Sequence, residues 1–426
     1  MSKTISQDIN NIFNNLEEKV MNDELIGEKE LLTLKFQVIS WREQRFKKSR
    51  KCIFNNCNKK SIVKSHAIQR TKSLKMISED NHVLQPLLNE RANNPEMYMD
   101  KVGVGDASTF PGFCEEHEKL FSEFELEGKI ETIRHGLLQS FRNICREVVF
   151  NTNELEAARY SISEYKKLRN EKALEFFNNE LRLNGITMEK KIKSLDIDRE
   201  DIFTFVENAK VKNIERKLRT LTKYQQYLFD AISGNDIGDD IYTDGLIIDI
   251  QLPISLCGIA SVGVEENGGK RIAYCILNVI PSENSTSIII AGMKQDKGIL
   301  EPYWKYYTQS NISIVNMIES YMIHGSDHWF IKPSIWNAIH NDNQKIILNE
   351  ILATEKSFID QLPLSIFHNI RYDFINQLER QQKDAFQKNI ENLINYERKK
   401  LFTQNYTSTR TAQEAIIEVL NKTMNY

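Results

Sequence analysis

Residues 52–57, Cys-Ile-Phe-Asn-Asn-Cys, and residues 113–118, Phe-Cys-Glu-Glu-His-Glu, decide the fold that we predict for the N-terminal third of this 426-residue chain. Each stretch places two metal-binding residue types close together, Cys52 with Cys57 and Cys114 with His117. Three thiolates and one imidazole make a complete tetrahedral zinc set. Zinc would also hold together a loop-rich segment that has little core of its own. The sequence therefore predicts a structural Zn²⁺, against the alternative of free thiols and a surface histidine.

A fifth candidate ligand lies between the two pairs, in the stretch Ser65-His66-Ala67-Ile68-Gln69. His66 is able to replace one of the four ligands, but the other four already close a tetrahedral shell. The remaining cysteines, Cys145, Cys257 and Cys275, lie in apolar patterns that are typical of buried thiols. In a reducing compartment six cysteines rarely form three disulfides, so we expect none.

Composition favours a helical protein, because glycine (17) and proline (8) are few for this length. No apolar run approaches the roughly 20 residues that span a bilayer, and the first residues lack a signal-peptide core. We therefore expect a cytoplasmic protein without a membrane partner. The predicted fold class is α+β, a predominantly α-helical multidomain protein with long helices and a small antiparallel sheet with flanking helices.

Changes in sequence pattern divide the chain into five segments. They are N-terminal helices (1–50), a zinc module (51–127), a long helical region (128–235), a small β-sheet unit (236–332) and a C-terminal helical region (333–426). The sheet prediction rests on segments rich in Ile and Val around a hairpin turn, Glu266-Asn-Gly-Gly269. Residues 89–112 have the Gly, Pro and Asn content of a loop.

The helix that ends near Ile232 follows a near-heptad rhythm, which Gln225 interrupts. Two interpretations stay open: an amphipathic helix hairpin packed on its own core, or a dimerising coiled coil.

The zinc module resembles the HNH, or ββα-metal, endonucleases, which are built on a treble-clef zinc fold. The resemblance covers residues 50–122 and rests on the two ligand pairs and on Ser65-His66-Ala67-Ile68. It implies that His66 is the general base that activates water, and that Glu118 helps to hold a catalytic Mg²⁺ or Mn²⁺. Two departures stand out: Ser65 replaces the family's metal-binding Asp or His, and Glu118 replaces its usual His or Asn.

The segment 41–75 carries twelve Lys or Arg residues against one acid, with Trp41, Phe46 and Phe54 interleaved. Such a segment favours contact with DNA or RNA phosphates. The alternative is pairing with the acidic segment 76–125, which holds eleven acids and three bases.

These observations predict a zinc-binding, nucleic-acid-interacting protein that resembles an active or degenerate HNH endonuclease. The combination of regions also resembles accessory proteins of bacterial phage-defence loci, which would mean a role in antiviral defence. The alternative is a zinc-stabilised scaffold or sensor subunit without chemistry, which binds a protein partner through its long helices.

Overall fold

The computed structural model describes residues 2–376 except 93, 127, 188–191, 198–200, 235–239, 267–268, 354, 361 and 363. The described helices are α1 (Ser2–Met21), α2 (Glu28–Phe46), α3 (Glu115–Glu118), α4 (Ser122–Glu125), α5 (Ile133–Leu183), α6 (Ile202–Ser233), α7 (Lys297–Tyr307), α8 (Asn311–His324), α9 (Pro333–Asn337), α10 (Asn341–Ile351) and α11 (His368–Asn376). The described strands are β1 (Ser65–His66), β2 (His82–Asn89), β3 (Glu96–Gly103), β4 (Thr109–Phe110), β5 (Ile241–Ile248), β6 (Ile254–Glu266), β7 (Gly269–Pro281), β8 (Thr286–Met293) and β9 (Trp329–Ile331).

The prediction of a mixed α+β chain with long helices is confirmed, since α5 has 51 residues and α6 has 32. None of the described helices combines the length and hydrophobicity that crossing a bilayer requires. The second half of the predicted C-terminal helical region, from 377 onward, lies outside the described residues. The described residues form two compact units, one within 1–48 and 148–222 and the other within 49–147 and 223–376. The five segment boundaries predicted from the sequence stay predictions.

In the described residues of the first unit, the regular secondary structure is helical. In one of its core clusters, Ile12, Leu16 and Val20 of α1 pack with Phe177 and other apolar residues of α5. Residues four apart lie on one face of a helix, so α1 buries a single stripe. Asp201 accepts a hydrogen bond from the Thr204 N–H at 2.7 Å at the start of α6, as its helix-capping position predicts.

The second unit contains an antiparallel sheet of seven strands in the order β3-β2-β9-β6-β7-β8-β5. β6 and β7 pair antiparallel as far as Glu266 and Gly269, which confirms the predicted hairpin, while the two turn residues lie outside the described residues. The sheet is larger than the sequence predicts, because β2 and β3 of the zinc module join it through β9. The prediction that residues 89–112 form a loop is therefore wrong for β3 and for the short strand β4.

The short strand β9 connects the zinc module to the rest of the sheet. Leu84 of β2 and Ile254 of β6 both pair with Ile331. Just before β9, the buried His328 ring lies 3.1 Å from the Ser108 hydroxyl and 2.8 Å from the Cys257 carbonyl. These contacts fix the chain that leads into β4, so the zinc module packs as a part of the second unit.

Candidate metal centre

The first ligand pair lies on a short turn. The Cys52 N–H donates to the Lys59 carbonyl at 2.9 Å, and the Cys57 N–H donates to the Phe54 carbonyl at 3.1 Å. Asn56 has φ of 59°, a left-handed conformation that Asn tolerates better than most residues. This tight turn brings both thiols to the same side of the chain.

The second pair lies at the beginning of α3, where Cys114 is the extended residue directly before the helix. The backbone at 112–114 is held against the first pair, since the Ile53 N–H donates to the Gly112 carbonyl at 2.9 Å. The Cys114 N–H also points at Cys52 Sγ, 3.3 Å away. One helical turn then places His117 beside Cys114.

The four predicted ligands converge, with their ligand atoms all within 4.8 Å of one another. Cys57 Sγ lies 4.0 Å from Cys114 Sγ, and His117 Nδ1 lies 3.6 Å from Cys52 Sγ and 3.3 Å from Cys114 Sγ. Tetrahedral zinc with ordinary bond lengths separates two sulfurs by about 3.8 Å and a sulfur from a nitrogen by about 3.6 Å. The donor set and its spacing therefore fit a structural Zn²⁺, with Nδ1 as the imidazole ligand.

Burial makes the Cys52 thiol dependent on a nearby cation for its ionisation. It raises the pKa of Cys52 to about 11, so this thiol stays protonated at neutral pH without a positive partner. Burial also opposes ionisation of Cys114, but the backbone N–H groups of His117 and Glu116 and the neighbouring thiols lower the pKa of Cys114 on balance. A bound zinc ion would supply the charge that stabilises these sulfurs as thiolates.

Residues outside the ligand motif support the site, and sequence reasoning missed most of them. The Phe54 ring stacks on the His117 ring with centroids 3.9 Å apart, and Phe229 of α6 meets Phe54 edge-on at 5.0 Å. Gln225 Nε2 donates a hydrogen bond to the Ile53 carbonyl oxygen, 3.4 Å away. The interrupted heptad rhythm at Gln225 was the one sequence signal for this contact.

His66, the predicted base, lies in β1, which pairs antiparallel with β4 directly before α3. Its Nε2 is covered and has no hydrogen-bond partner among the described residues, while the ring hydrogen bonds to the Val104 backbone. Burial lowers the pKa of His66 to about 4, assisted by the positive charges of Arg142 and Arg70. At neutral pH the ring is therefore uncharged, with a lone pair on Nε2.

Glu118, the predicted holder of the catalytic metal, is bound to an arginine instead. Arg142 of α5 places Nη2 2.6 Å from Glu118 Oε1 and Nη1 2.6 Å from Glu125 Oε1. Its guanidinium also lies over the Phe121 ring, 4.4 Å from the centroid. The second carboxylate oxygen of Glu118 is covered and has no partner among the described residues. Sequence reasoning missed Arg142, although it follows Leu138 by four residues on the apolar face of α5.

The residues around His66 do not fit a catalytic Mg²⁺ or Mn²⁺. Among the described residues, the Cys3His cluster is the only group of three or more His, Cys, Asp or Glu side chains placed to hold a metal ion. Ser65, at the position where the resemblance implies a metal ligand, is buried, and its hydroxyl accepts from the Phe113 N–H at 3.2 Å. We therefore assign no reaction step to a divalent ion.

Comparison of the chain with protein-family models, with curated proteins and with solved structures finds no match. The resemblance to HNH endonucleases consequently rests on the residues and geometry of the zinc module.

Proposed function

We propose that this chain is a zinc-stabilised nucleic-acid-binding protein whose zinc module is built like that of an HNH endonuclease, with His66 as its candidate base. One observation carries the proposal. Along the chain, one ligand pair of the Cys3His cluster precedes β1 and the other follows β4, β1 pairs with β4, and His66 is in β1. A strand pair followed by a helix that starts at the second ligand pair is the arrangement that the resemblance implies.

Exposed cations beside the zinc cluster support a polyanionic partner. The backbones of Lys51 and Lys60 pair in an antiparallel bridge, so two exposed like charges lie opposite each other. Like charges at such positions are destabilising, and a bound phosphate would relieve the repulsion. Neither ammonium has an ion-pair partner among the described residues. The acidic segment neutralises other members of the basic run, as Lys59 pairs with Glu116 and Lys64 with Asp106.

The interleaved aromatic residues support phosphate contact rather than base stacking. Trp41 stacks on Tyr160, Phe46 meets Phe150 edge-on, and Phe54 stacks on His117 within the zinc site. Because these rings have partners inside their own units, the proposed interface binds the sugar–phosphate backbone. Binding should therefore depend strongly on salt and weakly on sequence.

The experiment is a fluorescence-anisotropy titration of the zinc-loaded, full-length protein with single-stranded RNA, single-stranded DNA and duplex DNA at several salt concentrations. The double variant Lys51→Glu/Lys60→Glu should bind at least tenfold more weakly. If two phosphate contacts to a single strand are lost, the slope of log Kd against log salt should fall by about 1.4. Lys345→Glu, at an exposed position of α10, is the matched control. Equal affinity of the two variants would refute the proposed interface.

A protein-binding scaffold is the second candidate, and one observation favours it. At the start of α6 in the first unit, Ile202, Phe205 and Val206 are exposed by 61%, 63% and 56%. Their spacing puts three apolar side chains on one side of the helix. Phe205→Glu should then abolish binding of a partner protein while nucleic-acid affinity stays unchanged; loss of nucleic-acid affinity alone would exclude this role for α6.

A further inference from the structure

Arg142 is a fixed internal cation at the site where the resemblance implies a divalent ion. The residue is 1% exposed, and its two terminal nitrogens each lie 2.6 Å from a carboxylate oxygen, one of Glu118 and one of Glu125. A charge-assisted pair at this distance is among the stronger hydrogen bonds in proteins. A divalent ion bound to Glu118 would lie against this buried guanidinium, and the repulsion between the two cations in a largely covered site opposes metal binding there.

The surroundings of His66 keep its ring uncharged, and therefore able to accept a proton, without a metal ion. Arg142 and Arg70 both act electrostatically on the His66 ring, and Arg70 is exposed with no ion-pair partner among the described residues. Arg70 is therefore placed to receive a phosphate near the ring. A bound phosphate would in turn favour the imidazolium that forms when His66 accepts a proton.

We infer that Arg142 takes the place of the catalytic divalent cation, so that phosphodiester cleavage at this site is metal-independent and acts on RNA. The inference rests on the proposed function and names its substrate class. A metal normally generates the attacking hydroxide and steadies the phosphate in nuclease chemistry. RNA carries its own nucleophile, the 2′-hydroxyl, next to the scissile phosphate, whereas DNA has none.

The chemistry balances with a single base. His66 Nε2 accepts the proton of the 2′-hydroxyl, the 2′-oxygen forms a bond to phosphorus, and the bond from phosphorus to the 5′-oxygen breaks. The departing 5′-oxygen takes a proton from water, and the hydroxide formed is neutralised by the proton that His66 releases. The products are a 2′,3′-cyclic phosphate and a 5′-hydroxyl. Because Nε2 is covered in the free protein, docking of the nucleotide has to uncover it.

The test uses the zinc-loaded, full-length protein in buffer freed of divalent ions by ion-exchange resin, which leaves the structural zinc in place. The substrates are an end-labelled single-stranded RNA, the same RNA with one deoxynucleotide at the cleaved position, and the matching DNA. We expect cleavage of RNA alone, a 2′,3′-cyclic end, and rates within twofold with or without 5 mM Mg²⁺. His66→Gln should lower the rate at least 100-fold with normal zinc content.

A second readout does not require activity. Electron paramagnetic resonance of added Mn²⁺ should show no tight site in the wild type, and one new site in Arg142→Gln, where Glu118 and Glu125 lose their cation. If that variant fails to fold, the wild-type measurement decides alone. A wild-type Mn²⁺ site that Glu118→Gln removes, a Mg²⁺ requirement, or cleavage of DNA would overturn the inference. Absence of RNA cleavage would also overturn the inference. If RNA binding were still normal and dependent on Lys51 and Lys60, the proposed nucleic-acid-binding function would nevertheless stand.

Discussion

Nη2 of Arg142 lies 2.6 Å from Oε1 of Glu118, the residue that directly follows the zinc-ligand candidate His117. Arg142 belongs to α5 and is 1% exposed. Its buried guanidinium therefore forms an ion pair with α3, the short helix beside the second ligand pair of the Cys3His cluster. A second bond, to Glu125, extends the attachment to α4. The stability of the zinc module is therefore coupled to the first turns of α5.

Replacing Arg142 by methionine should destabilise the protein strongly. The substitution keeps an apolar stem of similar length but leaves Glu118 and Glu125 without their cation in a largely covered environment. Breaking a buried ion pair by removing one partner costs about 3–5 kcal/mol. Calorimetric unfolding at pH 7 is the measurement, with zinc content recorded beside it.

Arg159→Met is the control, because Arg159 pairs with Glu215 at an exposed position where the side chain is 59% accessible. An exposed pair of this kind contributes about 0–1 kcal/mol. Adding Glu118→Gln and Glu125→Gln to Arg142→Met should recover part of the lost stability, since no charge is then stranded. Comparable losses of stability in the Arg142 and Arg159 variants would show that the buried ion pairs of Arg142 contribute no more than an exposed pair.

Cys114→Ser should remove the structural zinc and lower the melting temperature of the second unit. Zinc binding contributes to folding in small metal-stabilised modules, and a serine hydroxyl is a poor replacement for a thiolate. We expect a decrease of roughly 10 °C, since each kcal/mol shifts Tm by about 2–4 °C in a domain of this size. Metal analysis by mass spectrometry should find one zinc per wild-type chain and none in the variant.

Cys275→Ser provides the comparison, because Cys275 is fully buried in β7 and is not a member of the Cys3His cluster. This variant should keep its zinc even if the new hydroxyl destabilises the sheet. Zinc retained in Cys114→Ser, or lost in Cys275→Ser, would require a different set of ligands.

The Cys3His cluster was predictable because each pair is a local motif whose chemistry does not depend on the rest of the fold. The sheet was predictable only in part. Pro86 and the Gly- and Asn-rich flanks make the sequence of β2 and β3 look like a loop. Pro86 is tolerated in β2 because β9 pairs with β2 at Leu84 alone. The joining of β2 to β6 through Ile331 depends on residues far apart in the chain, and no local pattern contains that information.

The two side chains that explain the site best left weak signals in the sequence. Gln225 looked like a defect in a heptad and instead faces the backbone of the first ligand pair. Arg142 is a cation on the apolar face of a helix, which signals a buried partner but does not say which one. Identifying Glu118 and Glu125 as its partners required the packing of α5 against α3 and α4.

Glu350→Gln should reduce stability near neutral pH and lose this effect in acid. The His324 ring lies 3.1 Å from Glu350, and together with Lys356 it lowers the pKa of this carboxyl to about 2. The stabilisation is present above the unfolded pKa of about 4.3 and disappears as pH falls towards 2. The Glu350 side chain is 21% exposed, so solvent screens part of the interaction, and we expect about 1 kcal/mol at pH 6. Glu355→Gln, at an exposed position, should change nothing; equal effects would exclude the His324 contact as the cause.

His66→Gln should alter the pH dependence of folding stability between about pH 6.5 and 4, which is above the range in which Glu350 titrates. The pKa of His66 is about 4 in the folded protein, because of burial and the charges of Arg142 and Arg70, and about 6.5 in an unfolded chain. Between these values the unfolded chain binds a proton that the folded protein does not. Folding stability therefore decreases as pH falls from about 6.5 to 4, by at most about 3 kcal/mol for this residue.

Loss of zinc in acid produces a similar decrease, so the informative quantity is the difference between the wild type and His66→Gln. Zinc loss affects both proteins, whereas proton uptake by His66 affects the wild type alone, and the variant should therefore show the shallower slope between pH 6.5 and 4. His340→Gln, at a position with 76% side-chain exposure, should follow the wild-type curve. Parallel curves for wild type and His66→Gln would mean that His66 has an ordinary pKa in the folded protein. The neutral base on which the proposed chemistry depends would then be protonated in a substantial fraction of molecules at pH 6.5.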